Sequence, residues 1–558
     1  MLKPHLLIIP FLLACHSIEE VAIEPPPSQL TETIEPTEIR LVVGITVDQM
    51  RYDYLSRYWE DYSDVGFKRI MEQGFDCKQA NYSYAPTFTG PGHASIFSGT
   101  TPSYHGIIGN NWYVRDLKRE MYCAEDTSAR GIGVKGSAGK MSPVNLKTTS
   151  LGDQMKLASN FRSKSFGVSM KDRGAILPAG RSADAAYWWI GKDIGHWVSS
   201  TYYMEDLPQY VKDYNASEHQ DQRIAEGWNL LRPASVYDES IADNNPHEAP
   251  FRGKNSPTFP YNLAELAPQN GSYEILKSSP HGNQMVADFG KLLIEQESLG
   301  QDEHTDLLTL SFSSTDYIGH QFGPQSMEAQ DMYLRLDQTL GDLLSYLDEQ
   351  VGHGKYIIFL TADHGAAHVP SYLQKHNMAP SYWNSAALEE EIEVELNNLY
   401  GSGEYIEKYS NDQIYLNKST LEEKKIRYQE ITDAVVNMAV EYEGVSKAVS
   451  AYHLTNNDFT EGVLATIQNG FSQKSSGDII LVLEPGWITY GPQGTTHGTA
   501  YPYDTHVPSL FYGGNIPSGS TQRVTHVVDI VATVCAILNI QAPNACVGQP
   551  ITEIFEND

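Results

Sequence analysis

The stretch Leu41-Val42-Val43-Gly44-Ile45-Thr46-Val47-Asp48 decides the fold. Seven uncharged, mostly β-branched residues read as a strand buried on both faces, and such strands belong inside parallel sheets. The run stops at an acid. Two further runs repeat the plan: residues 306–312 lead into Asp316, and residues 356–360 into Asp363. Between them Met332, Leu336, Leu340, Leu343 and Leu347 recur at helical spacing, with Gly352 as a stop. The unit is therefore strand, helix, strand. The predicted class is α/β, a mostly parallel central sheet with helices on both faces and inserted cap segments. Ligands of open parallel sheets sit beyond the carboxyl ends of the strands, where these three acids fall. A lone aspartate there commonly caps a helix or turns a loop, so the company it keeps decides its meaning.

That company is imidazole. Asp316 and His320 are spaced so that one loop or helical turn presents both to one ion. Asp363-His364-Gly365 places two diverging side chains at a strand end, with Gly365 permitting a sharp turn. His497 adds a third imidazole. Carboxylate and imidazole without thiolate favour zinc over manganese or iron, and disfavour calcium. His93, His105, His281 and His368 are assigned structural places, because histidine is commonly a partly buried, hydrogen-bonded residue, with a place just behind the metal ligands left open for His368.

In Tyr84-Ala-Pro-Thr-Phe-Thr-Gly-Pro-Gly-His-Ala-Ser-Ile-Phe-Ser-Gly99, Pro91 suits the first turn of a helix running through Ile96. Thr89 then stands just ahead of a helix N-terminus, where backbone N–H groups and the helix dipole favour an ionised hydroxyl and an incoming phosphate. It is the candidate nucleophile, with a metal needed to lower its pKa. Thr87 competes for that role, and an N-cap accounts for Thr89 equally well. Lys171-Asp172-Arg173-Gly174 follows the apolar Phe166–Met170 run, so Lys171 and Arg173 emerge at a strand end near the acids. A guanidinium fork beside a lysine point charge suits phosphoryl oxygens, as a solvated charge pair does not require.

The rest of the chain sets context. Met1-Leu2-Lys3 precedes an apolar run from Leu6 to Leu13, too short to span a bilayer, which ends Leu12-Leu13-Ala14-Cys15. Residues 1–14 read as a signal peptide with a lipobox, Cys15 as the lipidated first residue, and 15–39 as an extended Pro- and Glu-rich tether. The catalytic domain is expected over 40–558, with insertions at about 185–281, dense in Trp and Tyr, and about 371–476, rich in Glu and Lys. A net charge of -31 opposes a nucleic-acid surface and a polybasic membrane surface. Membrane association is expected only through Cys15, and the protein as a monomer. In an oxidising compartment Cys535–Cys546 and Cys77–Cys123 are the preferred disulfides, with the other pairings and free thiols left open.

Taken in order, Val47-Asp48-Gln49-Met50-Arg51, Thr87-Phe88-Thr89-Gly90-Pro91-Gly92-His93, Gly109-Asn110-Asn111, Lys171-Asp172-Arg173-Gly174, Asp316 with His320, Asp363-His364-Gly365 and His497 resemble the alkaline phosphatase superfamily. Within it they look like the phosphate-irrepressible alkaline phosphatases of exported bacterial enzymes, from about Arg40 to the C-terminus. The resemblance implies an alkaline phosphatase-like fold and two zinc ions. One is held by Asp316, His320 and His497, the other by Asp48, Asp363, His364 and Thr89. It also implies that Asn110, Lys171 and Arg173 contact phosphate, and that small-molecule phosphate monoesters are hydrolysed through a phosphothreonine. Two zinc ions with Lys171 and Arg173 outweigh three aspartates and an alkoxide, leaving a positive site matched to a monoester dianion. The nucleotide pyrophosphatase/phosphodiesterases are the nearest alternative.

Overall fold

The computed structural model describes residues 38–555, so the signal peptide, Cys15 and nearly all of the expected tether lie outside the described residues. From edge to edge, the ten-stranded central sheet runs Gly519–His526, Phe75–Asn81, Ser509–Gly513, Tyr356–Thr361, Leu41–Val47, Asp306–Phe312, Ser165–Ser169, Ala185–Ile190, His196–Ser200 and Gly131–Ile132. The five from Tyr356–Thr361 to Ala185–Ile190 are mutually parallel. Ser509–Gly513 and His196–Ser200 run against their neighbours.

Register explains why distant acids meet. Thr46 pairs with Thr361 and Val47 with Phe312. Two residues past the first pair lie Asp48 and Asp363, and just past the second the chain enters the helix Ser314–Phe322, which carries Asp316 and His320. Ser169 pairs with Ser311, which brings Lys171 to the same rim.

Helices cover both faces. A Cβ on Gly44 would strike Phe97 of helix Thr89–Ser98, and one on Gly167 would strike the Ala175 carbonyl of helix Asp172–Ala179. Both glycines register with Thr309 and so share a face. Its neighbour Leu310 points oppositely, against Gly290 of helix His281–Gln296. The expected crossover helix spans Met327–Leu347 and continues as a π turn to Gly352, whose φ of 107° ends it. Its periodic residues Met332, Leu336, Leu340, Leu343 and Leu347 are all buried; truncating one such leucine to alanine costs about 3 kcal/mol.

Residues 185–200 belong to the central sheet, so the segment set apart from it starts after Ser200 rather than at 185. A second, four-stranded sheet, Ile406–Ser410, Gln413–Leu416, Ile479–Leu483 and Val445–Ser450, has a core of its own around Trp383, Leu388, Ile392 and Leu396. Its strand Ile479–Leu483 carries this lobe past residue 476. The expected disulfides are not formed: Cys77, Cys123, Cys535 and Cys546 are free thiols. Cys77 packs in the main core and Cys123 in a separate cluster beside Trp112 and Ile176. Burial pushes the Cys77, Cys123 and Cys535 thiols up to about 12, which leaves them unreactive. Among the described residues, no helix is long and apolar enough to cross a membrane.

Candidate active site

Thr89 is the first residue of its helix, not its cap; Phe88 takes the N-cap position without a side-chain bond. The capping explanation for this threonine therefore falls. Its hydroxyl is buried, 3.5 Å from His364 Nε2 and 3.5 Å from the Arg173 guanidinium. Thr87, the competitor, donates its hydroxyl to the Thr499 carbonyl at 2.8 Å and is occupied. Gly92 lets the nucleophile's helix lie against the metal rim, since a Cβ there would fall 2.4 Å from the Asp363 carbonyl. Gly365 likewise serves close approach, of the Tyr503 carbonyl at 2.2 Å, rather than a left-handed turn.

Three imidazoles gather beside the Thr89 hydroxyl, His364 against it and His497 stacked on His364. In each, Nδ1 is tied to a backbone carbonyl: His320 to Thr495 at 2.7 Å, His497 to Thr87 at 2.7 Å, and His364 to Gly365 at 2.9 Å. A donating Nδ1 leaves Nε2 as the lone-pair atom, the arrangement that orients a metal-binding histidine. His320 Nε2 lies 3.1 Å and His497 Nε2 3.6 Å from Asp316 Oδ1. His364 Nε2 lies 3.5 Å from Asp48 Oδ1 and 3.5 Å from Asp363 Oδ2.

Two sets of donor atoms lie within 4.8 Å of one another: Asp316, His320 and His497, and Asp48, Asp316 and His364. The first is the trio expected for one ion. The second joins Asp316 to Asp48 and His364, with Asp363 Oδ2 also 3.5 Å from His364 Nε2. The buried Asp48 Oδ1 and Asp363 Oδ2 have no hydrogen-bond partner. Buried carboxylate oxygens are costly to leave bare, so orphans beside converging Nε2 atoms fit cations held by nitrogen and oxygen.

The electrostatics agree. Burial raises the Asp48 carboxyl well above its usual range, Asp363 adds to this, and Lys171 opposes it. Burial pulls Asp316 the same way, but His320 and Lys171 overcome it and hold its carboxyl well below normal. His497 is pushed down by burial and by His364 beside it, which keeps it a neutral donor. Lys171 Nζ bridges Asp48 Oδ2 at 2.7 Å and Asp316 Oδ2 at 2.5 Å. Asn110 Oδ1 accepts the Gly90 N–H at 2.7 Å, next to the nucleophile. The residues expected to hold metal and phosphate thus gather at one rim of the sheet.

A family model described as type I phosphodiesterase / nucleotide pyrophosphatase matches residues 42–507. The chain belongs to that family. It is 42% identical to a Myroides odoratus protein named calcium-transporting ATPase, covering 93% of this chain and 95% of that one. It is 39% identical to alkaline phosphatase PhoV of Synechococcus elongatus, covering 95% of each. The crystal structure of wild-type alkaline phosphatase PafA superposes with a TM-score of 0.89 at 38% identity, covering 93% of this chain and 99% of that one.

Three neighbours of the site escaped the sequence reading. Gln49, with φ 64°, donates its amide to Asp316 Oδ1 at 2.8 Å and its backbone N–H to Asp363 Oδ1 at 3.1 Å. A non-glycine residue at positive φ stores strain of the sort found at functional sites. His93, assigned a structural place, binds the Thr89 carbonyl at 2.9 Å and Ser311 Oγ at 2.9 Å, with Asp363 Oδ2 at 3.3 Å. Tyr122 OH accepts from the Arg173 guanidinium at 3.1 Å and donates to Asp172. Gln49 and His93 sit inside quoted motifs and were within reach; Tyr122, at the end of the hairpin formed by Asn111–Val114 and Arg119–Tyr122, carried no signal. By contrast, His105 and His281 bond to Ser95 and the Gly227 carbonyl, while His368 bonds to Arg51, which also donates to the Ala366 carbonyl.

Proposed function

We propose that this protein is an exported alkaline phosphatase that hydrolyses phosphate monoesters at a pair of zinc ions, with Thr89 as nucleophile. The observation that carries this is the place of the Thr89 hydroxyl, between the imidazole–carboxylate cluster and the Arg173 guanidinium. Asp316, His320 and His497 would hold one cation; Asp48, Asp363, His364 and Thr89 would hold the other. Bound there, the cations lower the pKa of a coordinated hydroxyl and neutralise phosphoryl oxygens. The Arg173 fork takes two oxygens of the phosphoryl group and sets phosphorus in line with Thr89 Oγ1. Asn110, its carbonyl oxygen fixed by Gly90, has its amide donors to offer a third oxygen. Thr89 Oγ1 then attacks phosphorus and the alcohol oxygen leaves. Water attacks the phosphothreonine along the same path and releases phosphate. Lys171 neutralises Asp48 and Asp316 and keeps the site positive for a dianion.

The family's description keeps phosphodiester cleavage as a second reading. Turnover of p-nitrophenyl phosphate against bis(p-nitrophenyl) phosphate separates the two. A monoesterase favours the first by at least about a hundredfold in kcat/KM; a preference for the diester overturns the reading. The apolar run ending at Cys15 supports export with a lipid anchor as the membrane attachment.

A further inference from the structure

One cleft leads away from the metal rim, and its walls come from outside the central sheet. Its floor is Phe88 and His497, whose rings meet edge to face at 5.8 Å, immediately beside the nucleophile. Its walls include Glu120 of strand Arg119–Tyr122, Tyr409 and Asp412 around the hairpin of the four-stranded lobe, and Trp487 beyond Ile479–Leu483. The enclosed space is about 370 Å³, within the range of small-molecule sites. Phosphate is gripped at the rim by Arg173 and its companions, so whatever occupies this cleft is the part of the substrate beyond the ester oxygen.

The lining has a definite chemistry. Phe88, Tyr409 and Trp487 are half-buried rings. Apart from His497, the ionisable lining residues are Glu120, Tyr409 and Asp412, and neither a lysine nor an arginine is among them. Glu120 accepts from Ser410 Oγ at 2.9 Å and has only a loose cation, Lys408, at 3.9 Å. Asp412 accepts the Tyr409 hydroxyl at 2.8 Å. Aromatic faces attract a flat apolar body, and two carboxylates with one loose lysine beside Glu120 leave a negative lining that repels an anionic one.

We propose that this cleft is the leaving-group subsite and that it selects uncharged, ring-bearing alcohols, such as aryl alcohols and nucleosides, over alcohols carrying a second anionic group. The proposal rests on the monoesterase reading. Bisphosphates, phosphorylated acids and nucleoside di- and triphosphates would bind poorly although their terminal phosphoryl group suits the rim.

The test uses the full-length, zinc-loaded protein and three esters: methyl phosphate, which reports the chemistry alone, benzyl phosphate and 3-phosphoglycerate. Glu120, exposed on its hairpin, accepts substitution without loss of the fold. Glu120→Lys is expected to raise kcat/KM on 3-phosphoglycerate about tenfold relative to methyl phosphate. Trp487→Leu is expected to lower kcat/KM on benzyl phosphate about fivefold relative to methyl phosphate. Changes that are equal across the three esters overturn the subsite alone. Failure of the parent protein to hydrolyse methyl phosphate overturns the monoesterase reading and the subsite with it.

Discussion

Carboxylates are buried in two places around the helix Ser314–Phe322, and the two could hardly be more different in company. At the rim, Asp48, Asp316 and Asp363 stand among three imidazoles and Lys171. Beyond the helix's end, Glu248 and Glu328 are equally buried, but they accept hydrogen bonds from the Asn245 amide at 2.5 Å and from the Tyr261 hydroxyl respectively. Both places contain oxygens without a hydrogen-bond partner: Asp48 Oδ1 and Asp363 Oδ2 in one, Glu248 Oε2 and Glu328 Oε2 in the other. Burial alone therefore does not make a metal centre. Where fixed Nε2 atoms and a lysine converge, Asp316 and Asp363 are held ionised despite desolvation, while Asp48, buried beside Asp363, is raised. Where none does, desolvation wins and the carboxyls keep their protons.

The strongest way to break this contrast is at the nucleophile. Thr89→Ala should reduce kcat on phosphate monoesters by on the order of a thousandfold or more while metal content, read by elemental analysis, stays unchanged. If the variant retains near-parental kcat, the rim is only another set of buried charges. Next in size is His497→Ala, which removes a donor of the trio it shares with Asp316 and His320. About one cation per chain should be lost, and activity should fall on the order of a hundredfold and recover partly in excess zinc. Unchanged metal content would place the cation elsewhere.

Tyr122→Phe sharpens the comparison more gently. The tyrosine touches Arg173 rather than the reacting atoms, so it acts as a positioning residue for the guanidinium. Loss of its hydroxyl should lower monoester kcat/KM about tenfold and diester kcat/KM much less, because a doubly charged phosphoryl group depends more on the fork. Replacing Lys171 and Arg173 together should widen that gap. Equal losses on both ester types would remove the charge-matching argument.

How much of this was legible in the sequence follows from what each residue's signal was. Asp48, Asp316 and Asp363 announced themselves because each ends or follows an apolar strand, and parallel register then had little choice but to bring them together. His320 and His364 came along by spacing, as i+4 and i+1. His497 had no such tie; it was a third imidazole without a partner in sequence, and its place in the trio with Asp316 and His320 rested on the resemblance. Gln49 was hidden because its role depends on a positive φ, which a glutamine does not advertise. Tyr122 was hidden because a hairpin outside the parallel strands, 51 residues before Arg173 in the chain, delivers it. The disulfides were misjudged for the opposite reason: an even count of cysteines suggests pairs, yet Cys77 and Cys123 are consigned to separate cores that no count reveals. Glu248 and Glu328 gave no sequence signal, since acids are ordinarily solvated and only the packing of Tyr261 and its neighbours dries them.

That acid pair yields the smallest effect but the cleanest test of the contrast. Burial first, and then Glu328 beside it, pushes the Glu248 carboxyl from 4.5 up to about 10, and burial pushes Glu328 from 4.5 up to about 8. The folded protein thus binds protons that the unfolded chain has released. The stability this confers is fully present below about pH 4.5 and is lost as pH rises through about 8 and then about 10. Gln321, on the helix that carries Asp316 and His320, exchanges two 3.0 Å hydrogen bonds with Ala249, the residue after Glu248. Glu248→Gln mimics the protonated acid and cannot ionise. The drop in Tm of the zinc-loaded protein between pH 6 and pH 9.5 should be smaller in this variant than in the parent, by about 2 °C. A variant that loses as much as the parent would mean that both carboxylates stay ionised against a cation. The two buried regions would then be alike after all.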